Sequence, residues 1–179
     1  SSIYFYLHFQ YDGWFFFGSM ALLTAILPKS TPNLNKYLSI FALTITPTYV
    51  LSILWIDLPK WLLLIATFAA FAQLIAWVLM LSKIRTTLKN HDQELKKSSI
   101  NIFFYFAAAA LTLKFLLQVL SSNQTVGDMV FSCRPIIIAY LHLILLGAFS
   151  IYLLAYGLYN NYYKANILAK MAFIYFFFG

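Results

Sequence analysis

Long apolar stretches alternate with short polar connectors along the whole chain. The apolar runs cover about Ile3 to Leu27, Tyr37 to Ile56, Trp61 to Leu81, Ile100 to Leu120 and Pro135 to Asn160, and another begins at Ile167. A helix needs roughly 20 apolar residues to cross a bilayer. The pattern therefore predicts an all-α transmembrane bundle of five complete spans and part of a sixth, with residues 1–179 forming one domain. Barrel strands would alternate apolar and polar positions, whereas these runs are apolar all round. In lipid, only helices and closed barrels satisfy the backbone.

The connectors carry turn and breaker residues: Pro28 and Pro32 in the first, Pro59 in the second, a charged stretch from Lys83 to Lys97 in the third, and Ser121 to Arg134 in the fourth. Pro47 lies inside the second run and predicts a kink there. His91, in the markedly hydrophilic third connector, reads as a solvated side chain. Lys29 and Lys36 fall in connector one, Lys83, Arg85, Lys89, Lys96 and Lys97 in connector three, and Lys164 and Lys170 in connector five, against Lys60 and Arg134 on the other side. By the positive-inside rule the odd-numbered connectors are cytoplasmic and the chain starts on the outer side. That orientation suits a bacterial inner membrane.

Composition agrees, with 63% apolar, 20% aromatic and only 9% charged residues, so the bilayer is the expected partner. The net charge of +7 is spread over short loops and forms no extended basic face, which argues against nucleic acid. A single cysteine, Cys133, permits no internal disulfide and has no spaced Cys or His for a zinc site; it reads as a passive small residue. The sequence opens on Ser1 and stops within the aromatic run from Ala172 to Gly179, and reads as a piece of something longer. The first run has no basic leader or small-residue cleavage site and is not read as a signal peptide. No phosphate loop, Gly-x-Ser-x-Gly elbow or His-Glu-x-x-His pattern occurs.

Two runs share a motif. Tyr6-Leu7-His8 and Tyr140-Leu141-His142 are each followed by four residues, a glycine (Gly13, Gly147), any residue and a phenylalanine (Phe15, Phe149). Both runs cross from outside to inside in the expected topology. At about 1.5 Å of rise per residue, His8 lies roughly 8 Å and His142 roughly 10 Å below the outer ends of their helices. Ionisable groups at such depth are candidates for function. One reading makes His8 and His142 axial ligands of a haem, or ligands of a metal ion. Asp12, four residues after His8, would organise the site, and Gly13 and Gly147 would allow a helix or flat ligand to approach. Arg134 and Lys114 are the available cations for haem propionates. The competing reading has both histidines hydrogen-bonding a facing helix, Lys114 snorkelling to the headgroups and Arg134 anchoring at the interface. Gln73, Gln118 and the threonines around Pro47 read as interhelical glue. The aromatic clusters from Trp14 to Phe17 and Phe173 to Phe178 read as lipid-facing and packing surface.

The segments from Tyr6 to Phe15 and from Arg134 to Gly147 resemble those of multi-span membrane proteins of Bacteroidota, distantly similar to the catalytic subunit of haem-copper oxidases. That family has twelve helices, with ligand histidines on the second, sixth and tenth. The resemblance implies a stretch from the sixth helix to the eleventh, with His8 and His142 four spans apart. The departures are substantial. Where the family has His, Pro and an acid, this chain has His8-Phe9-Gln10; no histidine occurs between Leu34 and Ile56; and Ile144 replaces the second histidine of the tenth helix. A three-histidine copper site cannot be assembled from these residues.

The expectations are therefore an integral membrane protein of one of two kinds. The first is a haem-binding, redox-related protein working with a quinol or another electron carrier. The second is a non-redox transporter, sensor or assembly subunit in which the histidine pair is structural or binds metal, and Asp12, His8 and His142 serve proton or metal passage. A degenerate oxidase relative that keeps only the scaffold is a third, weaker alternative.

Overall fold

The computed structural model describes residues 2–28, 31–54, 56, 58–90, 101–162 and 171. The sixth run from Ile167, except Met171, lies outside the described residues, as do His91, Lys96, Lys97, Lys164 and Lys170.

Among the described residues all regular structure is helical. Helix α1 covers 2–26, in which α-helical Ser2–His8 and Phe16–Ile26 flank a π-helical turn, Phe9–Phe15. It stops at Leu27, extended at ψ 146° as the residue before Pro28 must be. Helix α2 is Asn35–Ile53, α3 is Lys60–Asn90, α4 is Asn101–Leu120, the short α5 is Gln124–Ser132, and α6 is Arg134–Tyr159. Four of these, α2, α3, α4 and α6, are long and apolar enough to cross a membrane. In α1, His8, Gln10 and Asp12 interrupt the apolar run of a helix of spanning length.

Two boundaries differ from the sequence reading. Helix α3 does not end at Leu81 but continues through Lys83, Arg85 and Lys89 to Asn90, because Lys, Arg and Leu are good helix formers and no glycine or proline intervenes. The fourth connector contains α5, whose N-terminus is capped by the Asn123 side chain accepting from the Thr125 N–H at 3.1 Å. At the far end of α6, Asn161 adopts φ 57° and the Tyr162 N–H bonds back to Gly157 O at 2.9 Å, a left-handed stop.

The long helices close a ring in which α2 packs on α3, α3 on α4, α4 on α6, and α1 fits between α2 and α6. Its outer surface is apolar: Trp14 is 84% exposed and Phe68 72%, and Leu43, Tyr105 and Leu153 also face outward. Its interior holds His8, Thr48, Gln73, Lys114 and Gln118. Large apolar side chains outside and polar ones inside invert the arrangement expected in water and suit a lipid surround.

Two layers cross the ring. A polar layer takes His8 and Asp12 from α1, Thr48 from α2, Gln73 from α3, and Lys114 and Gln118 from α4. An aromatic layer takes one ring from each of the same helices. Phe16 and Phe41 stand 4.5 Å apart between centroids, Phe41 and Phe115 5.4 Å, and Trp77 and Phe115 5.6 Å. In α1 and α3 the polar residue precedes the aromatic one by a helical turn, Asp12 before Phe16 and Gln73 before Trp77. In α2 and α4 the order is reversed for Thr48 and Gln118, which follow Phe41 and Phe115, while Lys114 directly precedes Phe115. The reversal is the signature of antiparallel neighbours.

Candidate functional site

Pro47 shapes one wall of the polar layer. Lacking an N–H and crowding the preceding turn, it is followed by a switch of α2 to a 3₁₀ helix at Tyr49–Ile53. The Tyr49 N–H then bonds to Thr46 O and Pro47 O. In a regular α-helix it would have taken Ile45 O. That carbonyl is left free for side chains. The Thr48 hydroxyl donates to it at 3.0 Å, and His8 Nε2 lies 2.8 Å from it.

The tautomer of His8 follows. A carbonyl oxygen can only accept, so Nε2 carries a hydrogen, and in the neutral ring Nδ1 is then an acceptor. Nδ1 faces Asp12 Oδ2 at 3.3 Å and the Ser52 hydroxyl at 3.3 Å. The Tyr49 ring, with its centroid 5.7 Å from that of His8, forms another side of this pocket. Two acceptors facing each other, an imidazole nitrogen and a carboxylate oxygen, form a slot that one added proton would bridge.

The other oxygen of Asp12 accepts from Lys114 Nζ. Lys114 is 2% exposed, so it turns into the bundle and does not snorkel to the headgroups. It also donates to Gln118 Oε1 at 2.6 Å. An ammonium only donates, so Gln118 must present its oxygen, and its amide N–H₂ donates onward to Gln73 Oε1 at 2.9 Å. Gln73 Nε2 then donates to Thr48 Oγ1 at 3.4 Å, and the single Thr48 hydroxyl hydrogen is shared between Thr44 O at 2.9 Å and Ile45 O at 3.0 Å. The glutamines and threonines read as interhelical glue do link helices here, in a row of hydrogen bonds that all point one way.

The repeat motif has a backbone counterpart. Both π-helical turns begin one residue after the motif histidine, at Phe9 and at Leu143. The equivalent phenylalanines Phe15 and Phe149 touch, with centroids 5.5 Å apart, so the two segments lie side by side at one level. Their glycines both face helices. A Cβ on Gly13 would meet Ile45 Cδ1 at 3.5 Å, and one on Gly147 would meet Ala110 Cβ at 3.6 Å.

The histidines themselves part company. His8 is buried against α2, whereas His142 is exposed on α6 with Nδ1 2.7 Å from Ile138 O of its own helix. They do not fit an axial haem pair as they stand, since both ligand nitrogens would have to face one flat cavity. Among the described residues no group of three or more His, Cys, Asp or Glu side chains could hold a metal ion. Arg134 opens α6 at an exposed position, with Pro135 beside it in the first turn. The structure thus unites His8, Asp12 and Lys114 and leaves His142 and Arg134 on the surface.

The Asp12–Lys114 pair escaped sequence reasoning, though a signal existed: one acid and one base, each alone inside an apolar run. Ser52 and the Ile45 carbonyl carried no signal. No protein-family model, curated protein or solved structure matches the chain.

Proposed function

We propose that the chain is part of a proton-linked transporter of a bacterial inner membrane. Its five spans and the beginning of a sixth would place Ser1 outside, with the His8–Asp12–Lys114 chain as the proton-handling centre. The observation that carries this reading is His8 Nδ1 facing Asp12 Oδ2 at 3.3 Å while the other carboxylate oxygen holds a buried lysine. Intramembrane ionisable groups that face the bundle interior and pair with one another mark proton and ion pathways. The positive-inside orientation sets the polar layer toward the outer side, with the aromatic layer beneath it as a barrier. A bound proton then cannot run straight through, as coupling to a substrate requires.

The test is an infrared difference titration of the full chain in lipid, taken from neutral to acid. The expected result is a carboxylate band and an imidazole band that change together and are both lost in Asp12→Asn. Bands that stay constant through the titration, or that survive Asp12→Asn, overturn the reading.

A further inference from the structure

We infer that the place filled by the Lys114 ammonium is a binding site for a small primary ammonium ion, with Lys114 as its internal competitor. The inference rests on the proposed proton-linked function and names the class of ligand that is exchanged for the proton.

The surroundings of Lys114 Nζ select for a cation that bears N–H groups. Asp12 Oδ1 and Gln118 Oε1, the latter at 2.6 Å, accept from it. The face of Phe115 lies 4.4 Å away between Nζ and ring centroid, close enough for a cation–π contact. These neighbours are a carboxylate oxygen, an amide oxygen and a ring face, and none of them donates.

The acceptor character is locked from a distance. Gln118 cannot turn its N–H₂ toward the ammonium, because that group donates to Gln73 at 2.9 Å, and Gln73 in turn donates to Thr48 at 3.4 Å. Such an aligned row of hydrogen bonds strengthens its acceptor end. The residues come from all four helices of the polar layer; Gln73 and Thr48 are almost fully buried, at 2% and 1% exposure, and the Asp12 side chain keeps 16%. The site is therefore organised before any ligand arrives. Two protein oxygens are too few for a bare metal cation such as calcium, which takes six to eight, but they suit a group that donates along its own N–H bonds.

Lys114 supplies that group on a flexible stem. An incoming primary ammonium must displace it, and burial of two cations beside one carboxylate is prevented by charge. Lys114 therefore leaves as a neutral amine. The N–H bond of its ammonium breaks, and the proton passes by way of Asp12 to Nδ1 of His8, where an N–H bond forms and breaks again as the proton goes on to water, before the incoming ammonium seats against Asp12. One ammonium ion enters and one proton leaves, so net charge is conserved. The titratable groups facing this path are Asp12 and His8 of α1, Lys114 of α4 and, through its ring, Tyr49 of α2.

The probe is methylammonium, titrated calorimetrically into the full chain in lipid nanodiscs, in two buffers of different ionisation heat. The wild type is expected to bind it saturably and to release a proton for each ion bound, while tetramethylammonium, which has no N–H, does not compete. Lys114→Ala should bind at least about tenfold more tightly, because the internal competitor is gone, and without releasing a proton. Adding Asp12→Asn to that variant should weaken binding roughly a hundredfold. Equal affinity with and without Asp12→Asn overturns the inference, as does absence of methylammonium binding by the wild type. If Lys114→Ala does not fold, Lys114→Met and the wild-type titration decide. A chain that gives the coupled His8–Asp12 infrared response but binds no methylammonium overturns this inference alone; loss of the infrared response overturns the proton-linked reading beneath it.

Discussion

Replacing Lys114 by methionine tests the buried ion pair directly. Methionine fills nearly the same volume as the lysine stem, so the cavity contribution is small and the electrostatic loss dominates. Asp12 loses its cation, and Gln118 Oε1 loses a donor at 2.6 Å. Removing one partner of a buried pair costs about 3–5 kcal/mol, and an orphaned amide oxygen about 1 kcal/mol more. The Asp12 side chain keeps 16% exposure, with His8 3.3 Å away, which points to the lower end, about 3–4 kcal/mol. Asp12→Asn should cost about 3 kcal/mol by stranding the ammonium. The double variant removes both charges and should recover at least about 2 kcal/mol of the summed loss, the mark of a coupled pair. Reversible unfolding in mixed micelles, followed by tryptophan fluorescence, measures all three. If the two single losses simply add in the double variant, Asp12 and Lys114 do not share a site and the polar layer is wrongly assembled.

Opening the aromatic layer with Trp77→Ala or Phe115→Ala should give proteoliposomes a proton leak, detected by an internal pH dye, and Asp12→Asn in the same chain should close it. Tyr152, whose hydroxyl is buried without a hydrogen-bond partner among the described residues, should tolerate Tyr152→Phe with a gain of about 1 kcal/mol in the same unfolding assay. A reduced-minus-oxidised visible spectrum of the purified chain is expected to show no haem bands; bands lost in both His8→Ala and His142→Ala would restore the axial-pair reading. Cys133, the single cysteine, stands between α5 and α6 on the expected outer side, and an impermeant maleimide should label it in intact cells. Labelling only after the membrane is opened would invert the topology.

Much of the architecture was legible because lipid leaves a chain few choices. Runs of the right length become helices whatever their detailed order, and proline marks where they bend or stop. The switch to 3₁₀ helix after Pro47 and the helix end before Pro28 follow from one missing N–H and one steric clash. The Lys83–Asn90 extension of α3 is hidden in the sequence because a charged stretch after an apolar run resembles a loop, although charged residues form helices readily once they leave the bilayer. Helix α5 was hidden for a similar reason, its Asn123 cap standing within a polar stretch that reads as a turn.

The candidate site divides in the same way. That His8, Asp12 and Lys114 matter could be read from the chain, since an ionisable residue among apolar ones has to find a partner wherever the helices meet. The sequence by itself determined the helices, the shared level of the two repeat segments and the residue types available for chemistry. Only the tertiary structure decided which partner each found. His8 and His142 sit at equivalent positions of one motif, yet α2 covers the first and leaves the second exposed. The direction a side chain faces depends on which neighbour packs against its helix, and no local pattern carries that information.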